Sequence, residues 1–290
     1  MRVMNAARSI AFFGISVLAF AGGASCEGRR AVLDQGASAF AAAAAESAAF
    51  VSKVERAASA AGLPADLTTK LAAAARDDRP AFEADLAAAL APDPYLTFVV
   101  DKNHPLPETY EPADIVALDT LARPSFKTNR SGHTLRSLAV SALERMAAAS
   151  RAERVTLVVS SGYRSAAYQK KVYERTVAEM GKEAADRESA RPGYSQHQLG
   201  LAVDFGSVTD GFAQTSPSRW LEKNASRFGW SLSFPKGYEE VTGYRWESWH
   251  YRYVGEAAAA LIDRRFGGIQ HYALAFLAAW RNTGDGNPRG

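Results

Sequence analysis

The 290-residue chain is 47% hydrophobic, which allows one sizeable core with an accessory segment. Its 34 Lys and Arg against 31 Asp and Glu give a formal net charge of +3, and removing a leader that carries Arg2 and Arg8 leaves the rest nearly neutral. With no basic cluster interleaved with aromatics, nucleic acid is excluded as an expected partner, and a single cysteine excludes an intramolecular disulfide.

Arg2 and Arg8 precede an apolar run over residues 10–21, followed by Gly22, Gly23, Ala24 and Ser25. This is the layout of a secretory signal peptide over residues 1–25, too short to serve as a permanent span of roughly 18–20 residues. Cys26 comes next, in the position of a bacterial lipoprotein site, although Gly23 stands where leucine is usual. Lipidation of Cys26 would hold the protein to a membrane. Plain cleavage leaving a free thiol is the competing reading.

Residues 31–91 are rich in alanine, with Phe40, Phe50, Val51 and Val54 at helical intervals and Pro64 and Pro80 as punctuation. Two or three helices are expected there, either a spacer or a layer packed on the following domain. Pro92, Pro94, Pro105, Pro107 and Pro112 mark a turn-rich passage, and the main domain is placed at residues 95–268 after a 26–94 segment. Within it, residues 135–149 are expected as a helix with Leu138, Leu143 and Met146 inward. Residues 155–160 read as a buried strand delivering Gly162-Tyr163-Arg164, and a helix follows over 166–181.

A strand over 201–205 carries Asp204, with His197 in the loop before it. Since the side-chain period of a strand is two, residues seven apart point to opposite faces unless a bend intervenes, and Gly200 offers that bend. A short helix is expected at 220–228, a last strand at 251–254, and one amphipathic helix in the 269–290 tail. Strands and helices mixed without βαβ regularity imply an α+β fold, here a small antiparallel sheet with flanking helices behind the Ala-rich segment.

The chemistry concentrates in Ser195-Gln196-His197-Gln198-Leu199-Gly200-Leu201-Ala202-Val203-Asp204, answered by Glu247-Ser248-Trp249-His250. Two of the five histidines fall in these segments, each near a carboxylate. Two imidazoles and one carboxylate are the donor count of a catalytic zinc, which keeps its fourth position for water. Glu247 remains for proton transfer, provided a turn or bulge separates it from His250, because a regular strand would point the two apart. The competing readings are ordinary core histidines, a Glu247 that only orients a ligand, and a different divalent ion. Arg164, at the end of a strand, could pair with a terminal carboxylate or an oxyanion. Trp246, Trp249, Tyr244 and Tyr251 are read as packing around the site, and His104, His133 and His271 as structural or exposed.

These residues resemble the VanY-type D-alanyl-D-alanine carboxypeptidases, in the wider group that includes lysostaphin-type peptidases and the hedgehog signalling domain. The likeness runs from Val99-Val100-Asp101-Lys102 and Leu106-Pro107, through Ser161-Gly162-Tyr163-Arg164-Ser165, to Arg252-Tyr253-Val254-Gly255. Ser248 departs from it, standing where a proline is expected, which bears on local rigidity. The resemblance implies zinc held by His197, Asp204 and His250, Glu247 as base, and Gln169, Ser195 and Tyr163 around the terminal residue. It implies an exported, envelope-located D,D-carboxypeptidase acting on peptidoglycan stem peptides. An L,D-carboxypeptidase or endopeptidase, and a noncatalytic zinc-stabilised peptide-binding domain, are the alternatives. The sequence assigns no oligomeric state.

Overall fold

The computed structural model describes residues 26–90, 92–107 and 109–283, with side chains from residue 35 onward. The leader, the Cys26 side chain and the end of the tail lie outside the described residues. Helix α1 (Cys26–Ala60) spans a division of the chain after Glu46, and the unit beginning at Ser47 holds two hydrophobic cores.

In α1, Phe50, Val51, Val54, Ala57 and Ala58 are buried at three- and four-residue spacing, the stripe of a helix with one apolar face. Pro64 immediately precedes α2 (Ala65–Asp77) and Pro80 is the second residue of α3 (Arg79–Leu90), where a missing N–H costs nothing. These helices share a core with two at the other end of the chain, α9 (Glu256–Phe266) and α10 (Gln270–Asn282). Phe50 meets Phe82 and Trp280 edge-on, with ring centroids 5.8 and 5.7 Å away. Asp85 of α3 accepts from Arg264 at 2.8 Å and Arg265 at 2.7 Å. Residues 47–90 are therefore a layer packed on the main domain. The small residues of these helices allow close approach, and large apolar residues come from both sides, with Phe50, Leu71, Phe82 and Leu86 meeting Leu261, Ile262, Phe266 and Phe276. Phe82 is fully buried in this layer. Phe82→Ala should cost about 3–5 kcal/mol through lost transfer energy and the remaining cavity, read as a lower urea midpoint.

The second core surrounds a five-stranded sheet in the order β2-β4-β5-β7-β6. Its strands are β2 (Lys127–Thr128), β4 (Val158–Ser161), β5 (Ala202–Phe205), β6 (Trp230–Leu232) and β7 (His250–Tyr253). All neighbours are antiparallel except β2 and β4. A separate pair joins β1 (Ile115–Ala117) to β3 (Thr134–Arg136). Helices α4 (Ser137–Ala152), α5 (Ala166–Met180), α6 (Lys182–Glu188), α7 (Ser216–Asn224) and the single turn α8 (Glu239–Thr242) flank the sheets. This is the expected α+β arrangement. Leu143 and Met146 of α4 are fully buried, while Leu138 is only half-buried. Among the described residues no helix is long and apolar enough to cross a membrane.

The turn-rich passage is fastened to β7 by Arg252. Its fully buried Nη2 donates to the carbonyls of Tyr95 (3.0 Å), Leu96 (3.2 Å) and Phe98 (2.7 Å). Burial without a carboxylate partner pushes the guanidinium pKa down to about 9.

Candidate metal centre

β5 and β7 pair antiparallel with Asp204 directly opposite His250, so their side chains stand on one face as cross-strand neighbours. His197 arrives by another route. It lies on a 3-10 turn, Gln196–Leu199, which ends at Gly200 in the left-handed region with φ +70°. A Cβ at Gly200 would stand 2.8 Å from Arg136 Cγ, so glycine is required by both conformation and space. The bend returns the chain into β5 with His197 and Asp204 on the same side.

Glu247 is carried by a turn. Its N–H donates to Phe234 O at 3.0 Å, and His250 N–H donates back to Glu247 O at 3.3 Å before β7 begins. This meets the condition that a regular strand would have failed. The turn closes with the buried Ser248 in place, without proline.

His197 Nε2 lies 3.2 Å from Asp204 Oδ2, and His250 Nδ1 lies 3.1 Å from Asp204 Oδ1. His197 Nε2 and Asp204 Oδ1 are nevertheless buried without a well-aligned hydrogen bond. Donor atoms that converge to within 4.8 Å of one another, two of them buried and unpaired, fit a metal ion better than they fit each other. Among the described residues this is the one group of three so placed. Each imidazole uses its other nitrogen elsewhere: His197 Nδ1 is 2.7 Å from Gly162 O, and His250 Nε2 is 3.3 Å from Gln196 Oε1. The carbonyl approaches so closely because residue 162 is glycine, where any Cβ would collide with Thr134 O. Hydrogen bonds of this kind orient a ligand ring and choose its tautomer.

Burial and Arg164 hold His197 down to about 4, so it is neutral at pH 7. In His250 burial works the same way but is outweighed by Asp204 and Glu247, and its pKa is pushed up to about 9. Burial would raise Asp204, yet the two histidines hold it well below the usual carboxylate range. Burial raises Glu247, with His250 pulling it partly back. Metal-free His250 thus carries a proton below about pH 9 that coordination must displace. Binding of a divalent metal at pH 7.5 should release about one proton, and affinity should fall about tenfold per pH unit on acidification. Calorimetry in buffers of different ionisation enthalpy counts that proton. Release of none would mean that His250 is already neutral.

Arg164 follows β4, with its N–H donating to His197 O at 3.2 Å. Its Nη1 donates to Gln169 Oε1 at 3.0 Å, and its Nη2 lies 3.6 Å from Asp204 Oδ2. Buried Gln169 in turn donates to Ala190 O at 2.7 Å, so its amide serves to hold the guanidinium. Tyr163, Gln169 and Ser195 line one groove of about 780 Å³ with Arg164, Glu247 and the three metal donors. Ser195 also caps the 3-10 turn, accepting from His197 N at 3.3 Å. Tyr168, Met180 and Val208, three of the four large hydrophobic residues exposed among the described residues, continue the wall of this groove. Exposed apolar surface gathered on one concave face marks a binding surface.

Tyr244, Trp249 and Tyr251 are buried packing, whereas Trp246 is half-buried with Lys236 Nζ 5.3 Å from its ring centroid. Phe234, which carries no signal in the sequence, packs on the His250 ring at 4.8 Å. His104 pairs with Asp101 at 2.8 Å and His133 with Asn129 at 2.8 Å, while His271 stands 4.0 Å from Asp101. Two further polar residues reach the centre without a sequence expectation for either. Gln196 is marked only by its place beside the ligand His197, and Ser233 by nothing in its surroundings along the chain.

A split His–Asp–His centre with an adjacent buried carboxylate, carried by two neighbouring inner strands of an α+β sheet, defines a mononuclear metal site of the peptidase type. The family model for VanY, D-alanyl-D-alanine carboxypeptidase, matches residues 132–256, and the chain belongs to that family. It is 35% identical over 175 residues to a D-alanyl-D-alanine carboxypeptidase of Enterococcus faecalis, covering 57% of this chain and 60% of the other. Among solved structures it is similar to a mutant of the vancomycin-resistance D,D-pentapeptidase VanY in complex with Zn(II), at 32% identity and TM-score 0.52. That match covers 62% of this chain and 99% of the other. It is also similar to the LdcB LD-carboxypeptidase, at 32% identity and TM-score 0.52, covering 59% and 85%. The chain spans about three fifths of the length of the curated relatives it matches.

Proposed function

We propose that the protein is a zinc-dependent D,D-carboxypeptidase that removes the terminal D-alanine from peptidoglycan stem peptides. The observation that carries this reading is the convergence of three metal-competent donors beside a buried carboxylate, with Glu247 Oε2 3.3 Å from His250 Nδ1. His197 Nε2, Asp204 and His250 Nδ1 would hold the ion, and zinc bound there supplies Lewis acidity toward water and the scissile carbonyl. Glu247, with its pKa raised by burial, accepts a proton from the attacking water and passes it to the departing amine. Arg164 keeps Nε unpaired and aims its guanidinium at the substrate's carboxylate or carbonyl oxygen. Tyr163 and Ser195 bound the space for the terminal residue, and the groove beyond has room for a peptide longer than two residues.

The likeness to an LD-carboxypeptidase favours a second reading, in which the same machinery acts at an L,D bond of a shorter stem peptide. The reading extends to the cell envelope through the leader at residues 1–25 and acyl chains on Cys26. Incorporation of labelled lipid that Cys26→Ala abolishes is the expected result there.

The test is release of D-alanine by the zinc-loaded chain from a synthetic pentapeptide ending in D-Ala-D-Ala. Release supports the D,D assignment. Release from the tetrapeptide alone would replace it with the L,D reading. Zinc binding without turnover of pentapeptide, tetrapeptide or crosslinked substrate would leave a zinc-stabilised peptide-binding domain.

A further inference from the structure

We infer that Gln196 and Ser233 are positioning residues that set the tautomer of His250, and through it the strength of the metal site; this rests on reading His250 as a metal ligand. His250 turns Nδ1 toward Asp204 Oδ1 at 3.1 Å and Nε2 toward Gln196 Oε1 at 3.3 Å. A neutral imidazole has one N–H and one lone pair. Coordination through Nδ1 requires the proton on Nε2, and a proton on Nε2 requires an acceptor beside it.

A glutamine amide can present either an acceptor or a donor, so Gln196 alone does not decide the tautomer. Ser233 biases the choice. Its Oγ lies 2.7 Å from Gln196 Oε1, the separation of a well-formed O–H···O bond, and 3.4 Å from its other acceptor, Gln270 Oε1. Hydroxyl and imidazole both offer hydrogen to the same oxygen, and the amide is held with that oxygen toward the ring. The opposite state needs three groups to change together. The amide would turn its NH2 to His250, the hydroxyl would swing to Gln270 Oε1 at 3.4 Å, and the imidazole would carry its proton on Nδ1. In that state the proton that doubly protonated His250 gives up would come from Nε2, leaving Nδ1 without the lone pair the metal needs.

Gln270, at the start of α10, commits its own amide by donating to Ser231 O at 3.1 Å, which turns its oxygen toward Ser233 as a second acceptor; at 2.7 Å against 3.4 Å the hydroxyl favours Gln196. Ser233 N–H donates to His250 O at 3.1 Å, locking the two residues across the end of the β6–β7 pair. Gln196, Ser233 and Gln270 are all buried, which strengthens these contacts relative to water. A buried chain of three polar side chains ending on one imidazole nitrogen has no packing advantage over apolar residues of the same size.

The inference is tested by measuring zinc affinity of the full chain by chelator competition at a single pH, with thermal unfolding of each zinc-free variant as a control. Gln196→Leu, which removes the acceptor, should weaken zinc binding about 10–100-fold. Gln196→Glu, an acceptor through either oxygen, should restore affinity to within about threefold of wild type. Ser233→Ala should weaken binding with Gln196 present and change nothing in the Gln196→Glu background, because a carboxylate has no wrong orientation. Long-range 1H–15N spectra of the zinc-loaded protein should place the His250 proton on Nε2. Equal loss in Gln196→Glu and Gln196→Leu, or an equal effect of Ser233→Ala in both backgrounds, would overturn the inference and leave a packing role. If wild type binds zinc and every variant matches it, the inference alone falls. If wild type binds no zinc, the metal-site reading falls with it.

Discussion

Glu247→Ala is expected to eliminate D-alanine release while leaving zinc bound. General-base catalysis contributes about 10²–10⁴ in rate, roughly 3–5 kcal/mol of transition-state stabilisation, and among the described carboxylates lining the groove only Glu247 and the ligand Asp204 pair with His250. Two effects of the substitution on metal affinity oppose each other. Glu247 is one of two carboxylates that hold a proton on His250, so removing it makes His250 easier to deprotonate, and it also removes a negative charge beside a divalent cation. Zinc should therefore bind Glu247→Ala within about tenfold of wild type. Glu247→Gln keeps the volume and loses the base, and should match the alanine variant in rate. If either variant lost zinc, Glu247 would be a ligand or a support for one. If either kept near-normal turnover, the base lies elsewhere.

Arg164→Ala should lower kcat/KM by about 10²–10³, the usual cost of removing one donor from an oxyanion. Arg164→Lys should rescue little, since the paired donors held by Gln169 at 3.0 Å cannot be reproduced by a single ammonium. The way the loss divides identifies the role. A fall in kcat assigns Arg164 to the oxyanion, whereas a rise in KM at constant kcat assigns it to the substrate's terminal carboxylate. In the second case wild type should lose as much with a C-terminally amidated substrate. An effect below about threefold on both parameters would reduce Arg164 to a structural role beside Asp204.

Long periodic elements are legible in the sequence, and very short ones are not. The helices at 137–152 and 166–180 and the strand at 202–205 fall within a few residues of their expected places. β1, β2, β3 and β6 have only two or three residues each, too few for a period of two to register. α9 is equally hard to see, since its alanine-rich stretch gives little contrast between faces until Leu261, Ile262 and Phe266 are set against α3. The Ala-rich segment reads as helical but not as spacer or packed layer, because its burial depends on residues nearly two hundred positions away.

The chemical inventory is legible along the chain: two histidines, an aspartate, a glutamate and an arginine in short ordered segments, with Gly200 placed to turn the chain between the first two ligands. How those groups meet depends on strand register and on contacts between distant segments. The register of β5 against β7 sets Asp204 opposite His250, and the turn closed by His250 N–H brings Glu247 back to the same point. Hydrogen bonds from residues distant in sequence, Gly162 for His197 and Ser233 through Gln196 for His250, choose which nitrogen of each ring faces the centre. Residue type can be read from a sequence, but a tautomer is set by what lies within about three ångströms in space.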